Sequence, residues 1–305
     1  MTQRLVLPLR LVWDGDVPIV MFGAVASDRL RAPFWHDAIA DPLEIVALKP
    51  LDAFAYNDSE LKVAGGIYHM TRCGSTLLMR QFGRLPRVMP LSEPEIFAQL
   101  LDGPPAPAAL TARRLRQLLA AHRDALSPVA DRLVLKWLGL CAHHANVIAA
   151  AVPEVPTVYL HRDPVEVLAS IEQNALGGTD AVRPRHLGAG FGAVPDDPIE
   201  VAALLIAYGC RALAHVPGLR SLDYATLPDA TVDRVAPFFR FALSDADRAA
   251  MQAAAQTHSK DPADAEVFAP DAAEKRRRAT PHAVALAHRI VQPALDIVLA
   301  TTTPL

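Results

Sequence analysis

A glycine, two hydroxyl side chains and an arginine lie together in "TRCGST", residues 71–76, between an apolar run and an amphipathic run. The first turn of a helix has backbone N–H groups without partners and a partial positive charge, so it attracts anions. Gly74 would let the backbone approach a ligand, while Ser75 and Thr76 add hydroxyl donors. Arg72 adds a fixed positive charge. The segment predicts a turn that holds a phosphate-like group; an ordinary capped helix start is the structural alternative.

Spacing separates the chemistries that use such a turn. A nucleotide triphosphatase loop has the pattern GxxxxGK[ST], whereas the residue after Gly74 is Ser75 and not lysine. A cysteine phosphatase needs a thiolate, then five residues, then arginine. The sixth residue after Cys73 is Met79, and the arginine comes one position later, at Arg80. The sequence therefore disfavours both chemistries.

A second strand-to-helix joint lies at "HRDPVEVLAS", residues 161–170. Asp163 suits a helix N-cap, Pro164 suits the first helical position, and Glu166 is placed for a capping box. Arg162 follows the predicted strand, and Ser170 lies two turns into the predicted helix. By its residues alone this is a well-capped joint, of the kind at which ligands collect in open α/β sheets.

The two segments together resemble those of a known family, the P-loop sulfotransferases, which use 3′-phosphoadenosine 5′-phosphosulfate (PAPS). "TRCGSTLL" is similar to their 5′-phosphosulfate loop, R-[ST]-G-[ST]-[ST]-L, with Cys73 in place of the usual serine. "RDPVEVLAS" is similar to their 3′-phosphate motif, R-D-P-x5-S, and "YATL", 224–227, resembles a later Y-x-x-L element. The resemblance covers roughly residues 63–256. It implies that the PAPS-binding residues are Arg72, Cys73, Gly74, Ser75, Thr76, Arg162 and Ser170.

Sulfuryl transfer needs fixed cations at the leaving phosphate oxygen and a base at the acceptor hydroxyl. Lys136 ends a predicted strand and resembles the strand-end lysine that tyrosylprotein-type sulfotransferases place near the bridging oxygen. Glu93 follows Arg72 at an interval that resembles the interval to the catalytic glutamate in tyrosylprotein and several bacterial small-molecule sulfotransferases. The resemblance thus implies Glu93 as the base, with Lys136 and Arg72 as catalytic cations. A solvated strand-edge lysine and a helix-start glutamate, with Ser92 as a cap, are the structural alternatives.

Three other side chains remain candidate bases: His69, His161 and Glu95. The two histidines are included because some members of the family use histidine. His143 and His144 fall on different faces of a predicted helix, so we interpret them as structural.

Alternating strands and helices must position these residues. From residue 63 onward, short apolar runs alternate with longer helical patterns, which indicates a parallel sheet covered by helices. Strands are predicted near 64–70, 132–136, 155–161 and 219–223. Helices are predicted near 75–84, 93–102, 110–126, 142–151, 164–175, 198–215, 229–240, 244–256 and 281–299. The expected fold is a P-loop NTPase-like α/β domain over residues 61–305, with a β-rich extension over residues 1–60 that contains a hairpin at "DGD".

Composition and charge limit the function classes. The chain has 305 residues and a formal net charge of −3, so no global field favours nucleic acid or anionic lipid. Its three cysteines lack the spacing of metal ligands. No run approaches 18 uninterrupted apolar residues, so we expect a cytoplasmic protein with no membrane or nucleic-acid partner.

Two stretches stand apart from this pattern. The Gly- and Pro-rich stretch 177–198 is long for a connection, so it is a mobile lid or a surface excursion. "EKRRR", 274–278, is a solvated charged face or part of an anion pocket.

The function expected from these residues is metal-independent transfer of a sulfuryl group from PAPS to a hydroxylated small molecule or peptide. Two alternatives stay open. A P-loop kinase-like phosphotransferase would depend on magnesium, and a catalytically inactive nucleotide-binding module would bind the nucleotide without turnover. The sequence identifies neither the acceptor nor the oligomeric state.

Overall fold

The computed structural model of the chain describes residues 3–39, 44–54, 62–173, 195–256 and 272–305. Within these ranges the strands are β1 (Arg4–Asp14), β2 (Val17–Ala26), β3 (Ile45–Pro50), β4 (Val63–His69), β5 (Val88–Ser92), β6 (Arg132–Lys136), β7 (Thr157–His161), β8 (Arg220–Asp223) and β9 (Thr303–Pro304). The α-helices are α1 (Trp35–Ala38), α2 (Ser75–Phe82), α3 (Glu95–Leu101), α4 (Ala108–Leu126), α5 (Ala145–Ala151), α6 (Pro164–Gln173), α7 (Pro198–Leu213), α8 (Ala236–Phe238), α9 (Asp245–Ala254), α10 (Ala272–Arg278), α11 (Pro281–Leu286) and α12 (Gln292–Thr301).

Six parallel strands form the central sheet, in the order β5-β6-β4-β7-β8-β9. Its inner strands are apolar and almost fully buried, as expected for a parallel sheet flanked by helices. After β4 the chain forms β5 and β6 on one side of that strand, and it then crosses over to form β7 on the other side. Because the strands run in one direction, the residues that follow them meet at one edge, where α/β proteins bind ligands. The predicted P-loop-like α/β fold class is confirmed.

The amino-terminal part forms a separate antiparallel sheet, β1-β2-β3. Asp14 pairs with Val17 across the predicted hairpin turn. The leucines of β1 are buried, and the strand packs against α3 and α4. The backbone N–H of Leu11 donates a hydrogen bond of 2.7 Å to Oε1 of Gln99 on α3. The β-rich extension is therefore confirmed, whereas the boundary predicted at residue 60 lies outside the described residues and stays a prediction.

The sequence pattern predicts β4, β6, β7 and β8 but misses β5 and β9. The sequence of β5 is "VMPLS", and its Pro90 lacks the N–H that a central strand would use. β5 lies at the edge of the sheet, where it pairs with β6 on one side, so an absent donor is tolerated. β9 is two residues long and is too short to show a periodic pattern.

The predicted helix at 281–299 spans Pro281–Thr301, with a π-helical turn at Ala287–Val291 between α11 and α12. By length and composition alone it is apolar enough to cross a membrane. In the structure its buried residues belong to the hydrophobic core: Ala283, Leu286, Ala287, Val291, Ala294, Leu295 and Val298. These seven residues are thus used in packing, whereas Ile297 is exposed. Of the predicted loop at 177–198, the part up to residue 194 lies outside the described residues.

His122 is a fully buried histidine on α4 at the contact with the extension. Its ring packs against those of Trp35 and Phe97, with centroid distances of 5.9 and 5.0 Å. Its Nδ1 atom lies 2.9 Å from the carbonyl oxygen of Leu118. Burial lowers the pKa of His122 to about 4, and backbone hydrogen bonds offset only part of this effect. The folded protein therefore holds this imidazole neutral.

We predict that His122 makes the protein less stable in mild acid. Its pKa is lower in the folded chain than in the unfolded one, so the unfolded state binds the extra proton as the pH falls from about 6.5 to about 4. Over that window it should reduce the free energy of unfolding by up to about 1.4 kcal/mol per pH unit. Urea unfolding at several pH values should show a shallower slope for His122→Phe. The same change at exposed His215 is the control, and an unaltered slope in His122→Phe would contradict the prediction.

Candidate active site

The turn between β4 and α2 is a tight joint that depends on glycine. Gly74 forms the N-cap of α2 with a φ of 84°, and Arg72 also has a positive φ, of 60°. A Cβ at Gly74 would lie 2.6 Å from a ring atom of Tyr224, so space as well as backbone conformation excludes a side chain there. Ser75 and Thr76 begin α2 and are buried. The turn predicted to bind an anion thus lies at the expected edge of the sheet.

Cys73 lies in this turn with no exposed surface. Burial raises the pKa of the Cys73 thiol to about 12, although a backbone hydrogen bond from Ser75 and the charges of Lys136 and Arg162 each lower it in part. A thiol with this pKa is protonated at neutral pH, which argues against phosphatase-like thiolate chemistry. Because the charges of Lys136 and Arg162 both lower the pKa of Cys73, both cations lie close to the turn.

A hydrogen bond joins the two motifs that are far apart in sequence. The Nε–H of Arg72 donates to Oγ of Ser170 at 3.0 Å. Ser170 is fully buried on α6, which follows β7, and Arg72 precedes α2, which follows β4. The structure therefore brings together the two anion-binding segments that the sequence predicts separately.

Arg162 is buried between a carboxylate and an aromatic ring. Its Nε–H donates to Oε2 of Glu166 at 2.6 Å, and its guanidinium carbon lies 4.0 Å from the centre of the Tyr224 ring. Asp163 accepts a hydrogen bond of 2.8 Å from the backbone of Val165, as an N-cap residue would. The predicted role of Glu166 in a capping box is replaced by its ion pair with Arg162, because a buried guanidinium requires a counter-charge.

The basic run 274–278 contributes to this cluster from α10. Arg276 lies 2.8 Å from Oδ2 of Asp163 through Nη2, and 2.8 Å from Oε1 of Glu166 through Nε. Glu166 is thus shared between Arg162 and Arg276. The sequence favours two interpretations of the run, a solvated charged face or part of an anion pocket. The contacts of Arg276 connect the run to segment 161–170. Sequence patterns cannot give this contact, because Arg276 lies 113 positions after Asp163 in the chain.

Glu93 occupies an unusual backbone position directly after β5. Its φ is 60°, in the left-handed region that residues with a side chain rarely adopt. Its N–H donates to the carbonyl oxygen of Lys136 at 2.9 Å, which extends the pairing of β5 with β6 by one residue. The helix predicted from residue 93 begins at Glu95, and Ser92 is the last residue of β5 instead of a cap. This geometry turns Glu93 toward the carboxyl end of β6.

Lys136 and His69 both approach the carboxylate of Glu93. The Nζ atom of Lys136 lies 2.8 Å from Oε1 of Glu93, an ion pair without a well-aligned hydrogen bond. Nε2 of His69 lies 3.3 Å from the same oxygen and 3.1 Å from the carbonyl oxygen of Trp137. Because both neighbours are acceptors, a neutral His69 carries its proton on Nε2. Lys136 has no exposed surface, whereas the side chain of Glu93 is 20% exposed.

The pKa of Glu93 reflects a competition between burial and charge. Burial alone raises this pKa, but the Lys136 charge and the hydrogen bond from His69 outweigh burial and hold it well below the ordinary glutamate range. As long as Lys136 is paired with it, Glu93 is therefore ionised and a weak proton acceptor. A change that moved the ammonium away would leave burial to raise the pKa.

The remaining candidate bases lie elsewhere. Glu95 is exposed at the start of α3, and His161 is half-buried at the end of β7, where burial lowers its pKa and Asp223 raises it in part. His143 and His144 make contacts with the carbonyl oxygen of Leu205 and with Asp102, respectively. Among the described residues, no group of three or more His, Cys, Asp and Glu side chains is arranged to hold a metal ion.

No family model matches the sequence, and no curated protein matches it. The structural neighbours are bacterial sulfotransferases. The chain is similar to sulfotransferase STF9 from Mycobacterium avium, with a TM-score of 0.46 and 14% identity over 80% of this chain and 78% of that one. It is similar to the sulfotransferase domain from the curacin biosynthetic pathway, with a TM-score of 0.44 and 14% identity over 76% and 98% of the two chains. For a sulfotransferase from Alicyclobacillus acidocaldarius the TM-score is 0.37, with 16% identity over 75% and 95%. The likeness is distant.

We predict that Lys136 and Glu93 stabilise the fold as a pair and destabilise it singly. Lys136→Met leaves a mostly buried carboxylate without its cation, and Glu93→Gln leaves a fully buried ammonium without its anion. Each change should cost about 3 kcal/mol of unfolding free energy, and the double variant should cost clearly less than the sum. Denaturant unfolding of the four proteins at neutral pH measures this cycle.

The pH dependence supplies a control for the same pair. In the parent, the lowered pKa of Glu93 stabilises the fold above about pH 4.5, and this contribution is lost as the pH falls below that value. In Lys136→Met the pKa of Glu93 should be raised instead. The loss of unfolding free energy in this variant should therefore become smaller as acid protonates Glu93. The pair would not be coupled if the losses of unfolding free energy in the two single variants simply added up in the double variant. The same conclusion would follow if the loss in Lys136→Met were equal at pH 7 and pH 4.5.

Proposed function

We propose that the protein is a PAPS-dependent sulfotransferase that transfers a sulfuryl group to a hydroxyl acceptor without a metal ion. The hydrogen bond of 3.0 Å between Arg72 and Ser170 carries this proposal. It unites the segment that resembles a 5′-phosphosulfate loop with the segment that resembles a 3′-phosphate motif. A nucleotide with charged groups at both ends is the ligand that such a pair of segments suits.

The residues present fit such a nucleotide. The joint at Gly74 is too tight for a side chain, and the cations Lys136 and Arg162 are buried and held in place by ion pairs. Among the described residues, three guanidinium groups lie around the two carboxylates of segment 161–170, which suits an anionic ligand: Arg72, Arg162 and Arg276 around Asp163 and Glu166. The 5′-phosphosulfate would be held by residues 72–76, and the 3′-phosphate by Arg162 and Ser170.

The chemistry divides between the bound PAPS and the side chains around it. PAPS supplies the sulfuryl group and a phosphate leaving group. Lys136 provides a dehydrated positive charge, which stabilises an anion more strongly than a hydrated one does. Glu93 accepts the proton of the acceptor hydroxyl, and His69 orients the carboxylate through its Nε2–H. As Lys136 is drawn toward a bound anion, the main charge that lowers the pKa of Glu93 weakens, and Glu93 becomes the stronger base that the transfer needs.

The proposed acceptor is a hydroxylated small molecule or peptide. We also propose a cytoplasmic location for the protein. A P-loop kinase-like phosphotransferase and an inactive nucleotide-binding module are the competing outcomes of the experiments. Magnesium dependence would indicate the first, and nucleotide binding without turnover of PAPS would indicate the second.

We predict that the 3′-phosphate determines nucleotide binding. At 100 times its dissociation constant, 3′-phosphoadenosine 5′-phosphate should stabilise the fold by about 2.7 kcal/mol, with or without magnesium, and ATP at equal concentration should stabilise it far less. Arg162→Ala should remove most of the difference, because it removes charge-assisted hydrogen bonds of roughly 1.5–3 kcal/mol. Thermal melts measure each stabilisation.

The matched control is Arg248→Ala, which removes an exposed arginine paired with Asp233 on a different part of the surface. It should keep the parental preference for the 3′-phosphate nucleotide. Equal shifts from ATP and from 3′-phosphoadenosine 5′-phosphate in the parent would refute PAPS as the co-substrate.

We predict that Glu93→Gln separates nucleotide binding from transfer. The variant keeps the shape of the side chain and removes the base, so transfer should fall by about 10²–10⁴-fold. Affinity for 3′-phosphoadenosine 5′-phosphate should remain near the parental value. The loss should be smaller for acidic phenols than for alkyl alcohols, because a phenol needs less help in losing its proton. A screen with labelled PAPS and a panel of phenols and alcohols measures these rates.

Two histidine variants test the assignment of the base. If His69→Ala or His161→Ala abolished transfer to an alcohol while Glu93→Gln kept it near the parental rate, the base would be a histidine. In that case Glu93 would serve only to hold Lys136 in place.

A further inference from the structure

One aromatic ring of the amino-terminal extension contacts Lys136, the partner of Glu93. Phe34 immediately precedes α1, and the centre of its ring lies 5.1 Å from the Nζ atom of Lys136. This distance is within the range of a cation–π contact, about 6 Å. Lys136 is completely buried, so its charge interacts with the ring and with the Glu93 carboxylate in the absence of bulk water.

The position of the Phe34 ring is fixed by its neighbours. Trp35 is buried against His122, and the imidazole of His36 stacks on the Phe34 ring at a centroid distance of 5.4 Å and an interplanar angle of 11°. The side chain of Arg31 donates a hydrogen bond to the carbonyl oxygen of Gly83, which follows α2. The segment around Phe34 is therefore docked on the central domain on both sides of the ring.

We propose that Phe34 is a positioning residue of the active site and supports the ammonium of Lys136. The kinetic part of this inference rests on the proposed function, whereas the contact can be tested without it. The π face of an aromatic ring carries partial negative charge and attracts a cation, yet it has no net charge. Phe34 can therefore support Lys136 when the ammonium turns from Glu93 toward a bound anion, and it does so without competing with that anion as a second carboxylate would.

This assignment gives the extension a role that its sequence does not suggest. The resemblance to sulfotransferases begins near residue 63, so Phe34 lies outside it. A leucine at this position would fill apolar space but offer no π face. A tyrosine would keep the face and add a hydroxyl group at the edge of the ring.

The test is a double-mutant cycle between Phe34 and Lys136, with transfer kinetics as the first readout. Phe34→Leu should lower kcat by about 3- to 30-fold and leave affinity for 3′-phosphoadenosine 5′-phosphate unchanged. Phe34→Tyr should retain most of the parental kcat. In the Lys136→Met background, Phe34→Leu should have no further effect, because the cation that it supports is absent. Phe54→Leu is the matched control, since its ring is half-buried in the same extension and contacts Phe22 at 5.7 Å.

The second readout is the unfolding equilibrium, which needs no transfer activity. Phe34→Leu should raise the unfolding constant by about 3- to 30-fold more in the parent than in Lys136→Met. Equal effects in the two backgrounds, or a kcat for Phe34→Leu that equals or exceeds the parental value, would overturn the inference. If the parent transfers sulfuryl groups to no acceptor, the proposed function fails, and the unfolding cycle alone decides whether Phe34 supports Lys136.

Discussion

A charge that cannot reach water must be paired, and the arrangement of the site follows from this constraint. Lys136 and Arg162 lie at the ends of β6 and β7, on the two sides of β4, and both are almost completely buried. Each lies against a glutamate, Glu93 or Glu166. The cost of removing water from these cations is met during folding, so an arriving anion would find them dehydrated and fixed in place.

The parallel sheet could be predicted because its pattern is local and repeated. β4, β6, β7 and β8 are apolar runs that alternate with helical patterns, and the hairpin at "DGD" has a recognisable turn. β5 could not be predicted because Pro90 is acceptable only at a sheet edge, and a sequence does not reveal which strand is at the edge. The strand order is likewise a long-range property, although it determines which loops meet.

The candidate site was predictable to the extent that its residues lie at strand-to-helix joints. Arg72, Gly74 and Ser170 come together as those joints imply. The contacts of Arg276 with Glu166 and of Phe34 with Lys136 were not predictable, since each joins segments that are far apart in sequence. The charged run 274–278 stands out in the sequence, but nothing in it identifies its partner. For Glu93, the sequence interval indicated the residue but not its positive φ or its ion pair with Lys136.

Cys73 stands where the loop that segment 71–76 resembles usually has serine, and its burial affects how this turn withstands oxidation. Peroxides and disulfides react with thiolates that they can reach, and the first product is a sulfenic acid or a mixed disulfide. The thiol of Cys73 is neither exposed nor ionised at neutral pH, because burial raises its pKa to about 12. Oxidants therefore do not readily reach this sulfur, and oxidative stress should leave the geometry of the turn intact as long as the fold stays closed.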